Sequence, residues 1–247
     1  MLPTLIRCSA VWLGLLLAAP AQAGIVLNAT RVIYQAKDKE VSFVVSNSGT
    51  TDILAQSWLE TGKDSAEAEN LSFVVTPPLA RMSGNARQMI RIIYAGEGLP
   101  DDRESVFWLN VQEIPQTAKD NQLQIAIRQR IKLFYRPAAL NGDPLEAAKK
   151  LEWRVHDGQL EVSNPTPFHV SMIQIAARQQ GKALFTADSR MLAPRETVRF
   201  ALKSLGRGQA MDIDFISIND FGAQEPLTAK VSEGQTIRAM SATTGSQ

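Results

Sequence analysis

From Gly24 onward the chain is written in short runs of Val, Ile, Leu, Phe and Tyr, each ending in a cluster of Gly, Asn, Asp or Pro. An apolar residue at every second position buries one face of a strand, whereas a helix needs recurrence at three and four. The pattern predicts an all-β chain with little helix. Strands are expected over residues 25–34, 40–47, 53–60, 73–76, 89–94, 105–112 and 122–135, and seven strands in that length is an immunoglobulin-like count.

The segment from Arg136-Pro137 to Pro144 carries two prolines and Asn141-Gly142, so it reads as a domain boundary. The first domain is expected over 24–139 and the second over 140–240. In the second, strands are expected over 151–155, 159–163, 169–178, 183–185, 197–201, 211–219 and 227–231, a smaller sandwich. The tail from Met240 is small and polar and is expected to fray.

Residues 1–23 read as a secretory signal. Arg7 supplies the positive region, Val11 to Ala19 the apolar stretch, and Ala21-Gln22-Ala23 a small-residue cleavage site, so the mature protein should begin near Gly24. The apolar run stops at Pro20 and no later stretch approaches the roughly 20 apolar residues that span a bilayer. Cys8, the only cysteine, leaves with the signal, which excludes a disulfide framework, thiol chemistry and thiolate metal sites. Removing Arg7 from the 26 basic residues leaves them equal in number to the 25 acidic ones. A neutral chain argues against a nucleic-acid partner, which favours a basic stripe.

Catalytic material is sparse. His156 and His169 are the only histidines and fall in different expected elements, so both read as surface or turn residues. No nucleophile elbow, P-loop or dinucleotide fingerprint occurs. Gly96-Glu97-Gly98 and Gly206-Arg207-Gly208 read as hairpin connections, and Asp212 and Asp214 as solvated edge carboxylates without a third ligand.

Two strands carry charge where apolar side chains belong. With a period of two, Arg31 interrupts the row Ile25, Leu27, Ala29 and Ile33. In the strand from Gln122, Leu123, Ile125, Ile127, Ile131, Leu133 and Tyr135 share one face while Arg128, Arg130 and Lys132 share the other. Either Arg31 snorkels at a rim and the basic row guards an exposed edge, or the cations form a prepared anion site. The apolar row likewise either closes its own core or is offered to another groove.

The stretch LPDDRESVFWLNVQEIP at 99–115 resembles the signature of the periplasmic pilus (fimbrial) assembly chaperones, the PapD-like family. Thr76-Pro77-Pro78, IKLFYRPAAL at 131–140, NPTPFHV at 164–170 and INDFG at 218–222 are similar to further hallmarks of that family, in the same order along the chain.

The resemblance implies two immunoglobulin-like β-sandwich domains in a boomerang arrangement, working in the periplasm on pilin subunits that lack their last strand. It implies that Leu123, Ile125 and Ile127 fill the pilin groove, a mode known as strand addition. It implies that Arg31 and Lys132 bind the client's C-terminal carboxylate, and that Glu104, Arg136 and Asp220 form an interdomain ion network. The loaded subunit would pass to an outer-membrane usher. No cofactor, metal, nucleotide or small-molecule substrate is implied, and the exposed strand leaves self-association of the free protein open. The link of about six residues between Pro115 and the client strand is similar to the branch serving rod-like adhesive pili.

Two rivals remain at this stage. A pilin or adhesin-like subunit usually needs a donor extension before its first strand and often a disulfide, and neither is seen here. A secreted β-sandwich hydrolase lacks the usual catalytic groups.

Overall fold

A computed structural model describes residues 24–62, 71–117, 124–203 and 210–242. Apart from two 3-10 turns, Pro144–Glu146 and Ala148–Lys150, the regular structure described is all strand. No helix among the described residues is long and apolar enough to cross a membrane.

The first half contributes nine strands: β1 (Ile25–Leu27), β2 (Arg31–Gln35), β3 (Val41–Asn47), β4 (Ile53–Glu60), β5 (Phe73–Thr76), β6 (Leu79–Met82), β7 (Arg87–Tyr94), β8 (Ser105–Pro115) and β9 (Arg128–Arg136). They form two sheets, ordered β1-β3-β7-β5 and β2-β9-β8-β4-β6. One sheet turns Ile25, Phe43, Val45, Ile90 and Ile92 inward and the other Val32, Tyr34, Leu109, Val111 and Leu133, so the two apolar faces enclose one core. Each such side chain removed from water contributes about 1.5–3 kcal/mol before ordering costs.

The expected strand over 25–34 is in fact two strands in two sheets. β1 pairs antiparallel with β3, and β2 pairs parallel with β9. At the switch Asn28 takes over the pairing, its Oδ1 accepting from the Val44 N–H at 2.8 Å while its own N–H donates to the Val44 carbonyl at 3.2 Å. The break shifts the parity of the inward face. Ile25 is buried before it, and Val32 and Tyr34 after it. Arg31 therefore does not interrupt a core row but lies on the outer face of β2 with Ile33.

The second half builds β10 (Glu152–His156), β11 (Gln159–Ser163), β12 (Val170–Gln179), β13 (Lys182–Leu192), β14 (Thr197–Ala201), β15 (Met211–Ile218), β16 (Gln224–Val231), β17 (Thr236–Arg238) and β18 (Met240–Ser241). The sheets run β14-β11-β10-β17 and β13-β12-β15-β16-β18. Their core holds Trp153, fully buried, with its ring 5.4 Å from Phe215. The two 3-10 turns lead into it. Asp143 caps the first, its Oδ1 accepting from the Leu145 N–H at 2.9 Å, and Pro144 at the first position loses no hydrogen bond.

β6, β17 and β18 are not among the expected strands, and β13 is far longer than 183–185. β13 is a sheet edge with few buried side chains, so Ala187-Asp188-Ser189-Arg190 shows no apolar row. The tail at Met240 is tied in by pairing of β18 with β16. Gly96 and Gly98, at φ of 94° and 90°, join β7 to β8 across the two sheets and not within a hairpin. Gly206-Arg207-Gly208 lies outside the described residues. Asp212 and Asp214 stand on the outer face of a central strand, not at an edge. Asp214 accepts from Arg178 at 2.6 Å.

Candidate functional site

The site forms where β2 and β9 of the first sandwich meet the second. Parallel pairing sets Arg31 directly beside Lys132, and Val32 beside Leu133. Leu133 points into the core with no exposure. The alternate side chains Lys132, Phe134 and Arg136 therefore leave β9 on the opposite face, toward the second domain.

Arg31 and Lys132 are half-buried neighbours of like charge. Arg31 donates from Nη1 to the Ile218 carbonyl at 2.8 Å and lies over the Phe134 ring at 5.9 Å, but its buried Nε has no partner. Lys132 donates to Ser171 Oγ at 3.2 Å, with its Nζ 5.7 Å from the Trp108 ring. Burial lowers the Arg31 guanidinium pKa, against the pull of Asp220 and then Glu104. Burial and then the charge of Arg31 lower that of Lys132. Among the described residues neither forms an ion pair. A carboxylate would relieve the repulsion and satisfy Nε by charge-assisted hydrogen bonds.

The basic row of β9 does not act as one. Arg128 lies 2.7 Å and Arg130 3.6 Å from Glu60, with their guanidinium groups over Trp58 and Trp108 at 4.8 and 4.2 Å. These two cations share the Glu60 carboxylate, whereas Lys132 has no ion pair among the described residues, which singles it out. Sequence reading missed Glu60, and its place at the last position of an alternating strand gave no sign of it.

Arg136 is enclosed between two carboxylates from opposite domains. Its Nη2 lies 2.6 Å from Glu104 Oε1, and its Nη1 2.8 Å from Asp220 Oδ2. Burial alone would lower the guanidinium pKa, but hydrogen bonding to Asp220 and the charge of Glu104 outweigh it and raise it. The second oxygen of Glu104 accepts from the His169 N–H at 2.8 Å and lies 3.0 Å from His169 Nδ1. His169 is thus no surface residue: its side chain is 5% exposed and its ring packs 5.7 Å from Phe134. His156 is exposed at the end of β10, beside Asp157.

Of the apolar row, Leu123 lies outside the described residues. Ile125 is 69% exposed and Ile127 half-buried. Of the expected strand from Gln122, the described residues 124–127 are not strand and β9 begins at Arg128, and the reason is in the partner strand. β8 and β9 pair from Ser105 with Tyr135 to Gln112 with Arg128, and the Glu113 N–H still donates to the Ile127 carbonyl at 2.9 Å. The same register sets Pro115 opposite Ile125, and proline has no N–H to give. The ladder therefore ends there, with Ile125 outside the sandwich core.

A family model described as the N-terminal domain of PapD, a pili and flagellar-assembly chaperone, matches residues 24–141, and one described as the C-terminal domain of the pili assembly chaperone PapD matches 146–229. The chain belongs to the PapD family of pilus-assembly chaperones. The family is one of chaperones and not of pilin subunits. The chaperone is 40% identical over 228 residues to Bordetella pertussis FimB/FhaD, with 88% of this chain and 92% of that one covered. It is 41% identical over 214 residues to the probable fimbrial chaperone YadV of Escherichia coli, covering 81% and 87%. Its fold is similar to the crystal structure of YadV (TM-score 0.72, 38% identity, 84% and 100% covered). It is also similar to a Salmonella enterica complex of the SafA pilin with the SafB chaperone (TM-score 0.69, 29% identity, 86% and 98% covered).

Proposed function

We propose that this chaperone works in the periplasm, holds pilin subunits by lending them the segment from Leu123 to Ile127, and hands them to an outer-membrane usher. The observation that carries the reading is the pair Arg31 and Lys132, adjacent cations with no ion pair among the described residues, one keeping an unsatisfied buried Nε. A subunit's C-terminal carboxylate fits that place. From there an extended chain end can follow β9 past its unpaired end, where Ile125 stands free. Lys132 and Ile125 are seven residues apart, so a fixed carboxylate also fixes which client side chains meet the lent ones.

The reading involves no reaction: the protein is not an enzyme and needs no cofactor. We place the start of the mature chain near Gly24 and the domain boundary near residues 139 and 140. The network of Arg136, Glu104 and Asp220 then sets how the two domains stand to each other. Surface pairs contribute only about 0–1 kcal/mol, but this one is buried, where geometry decides its worth. Co-expression with a pilin, then purification and a structure of the complex, tests the reading. A subunit bound with its C terminus away from Arg31 and Lys132 overturns it.

A further inference from the structure

Glu113 sits where a carboxylate is costly. It continues the inward row Phe107, Leu109 and Val111 of β8 and is itself only 8% exposed. Its Oε2 is buried without a hydrogen-bond partner, and among the described residues it has no ion pair. Burial raises its pKa. An uncompensated buried carboxylate needs either a proton or a cation.

The group it touches is Gly24. A Cβ built on Gly24 would stand 1.8 Å from Glu113 Oε2, 2.5 Å from Cδ and 2.7 Å from Oε1. The carboxylate thus lies against the Gly24 Cα, one covalent bond from the Gly24 nitrogen. The backbone there is held on both sides. The Ser48 N–H donates to the Gly24 carbonyl at 2.9 Å, and Gln129 Nε2 donates to the Ile25 carbonyl at 2.7 Å. In the precursor that nitrogen is a neutral amide. Cleavage after Ala23 makes it an ammonium, with an ordinary pKa of about 7.7–8.0.

We propose that Glu113 is the receptor for the α-amino group that leader removal creates on Gly24, so that processing completes a buried ion pair and stabilises the folded chaperone. The inference rests on the export reading and on Gly24 as the first mature residue. It also explains why that residue is glycine, since a side chain would take the place of the carboxylate. The backbone of Glu113 binds the Ile127 carbonyl at 2.9 Å, so the new terminus is tied to the root of the lent segment.

The test compares four exported proteins: the natural chain and one with a single alanine inserted between Ala23 and Gly24, each with Glu113 or with Glu113→Gln. Intact mass first reports where each begins. A natural protein that starts elsewhere than at Gly24 overturns the processing premise. With the start at Gly24, urea denaturation should show Glu113→Gln lowering the folding equilibrium constant about tenfold. In the extended protein the same substitution should cost little. An equal loss at both lengths overturns the pairing while leaving the start site intact. If Glu113→Gln does not accumulate, the two lengths with Glu113 retained carry the test: the natural one should be more stable by about the same factor, and equal stability overturns the proposal.

Discussion

Arg31 and Lys132 are direct neighbours across the parallel pair β2 and β9, two half-buried cations that form no ion pair among the described residues. Placing like charges together costs the free protein stability, so the arrangement makes sense where an anion is expected. Lys132→Met should leave the melting temperature unchanged or slightly raised, because it removes the repulsion. Client binding should fall about 10- to 100-fold, the worth of a charge-assisted hydrogen bond. Arg31→Met should weaken binding similarly. Calorimetry and pilin co-purification check both, and undiminished co-purification removes the anchor role.

The two ends of the apolar row that runs into β9 should separate cleanly. Ile125 is largely exposed, so Ile125→Asp should leave the unfolding midpoint unchanged and abolish pilin capture. Leu133 has no exposure, and Leu133→Ala should cost about 2–5 kcal/mol in urea denaturation. A loss of stability at Ile125 equal to that at Leu133 shows that both belong to the chaperone's own core.

How far the sequence could be read is clearest on these strands. The bounds of β4, β5, β11 and β14 are legible to the residue, and in β4 and β14 the alternation follows from one face being turned inward. The split of residues 25–34 did not show, because Asn28 replaces a ladder bond with its side chain and no proline or glycine marks the change. The residues 218–222 and the signature at 99–115 carry Asp220 and Glu104, but nothing local says that both meet Arg136. Such a contact depends on how two folded domains dock. His169 was misread for the same reason: it is buried against Glu104 and Phe134 of the other domain.

Removing Arg136 should be felt beyond its own domain. Its side chain is 9% exposed and that of Glu104 only 1%, so Arg136→Ala leaves a buried carboxylate short of its cation. Breaking such a pair costs about 3–5 kcal/mol, here toward the lower end because the His169 N–H still binds Glu104. Calorimetry should show one transition becoming two as the domains uncouple. X-ray scattering should show a wider range of interdomain angles. An unchanged scattering profile together with normal client binding removes the network from that role.

The second domain should weaken in acid through Glu161. Its side chain is 3% exposed and receives Arg154 at 2.5 Å and Arg199 at 2.8 Å. The hydrogen bond from Arg154 and then that from Arg199 lower its pKa. The unfolded chain, with an ordinary Glu pKa of about 4.3, therefore binds this proton more readily than the folded one. The stabilisation is complete above about pH 5 and is lost as pH falls through 4 toward the folded value. Glu161→Gln should thus lower stability at pH 7 and flatten the decline between about pH 5 and 3, so that the two proteins converge in acid. Denaturation followed across that range checks it, and parallel curves for the two proteins exclude Glu161 as the source of the acid sensitivity.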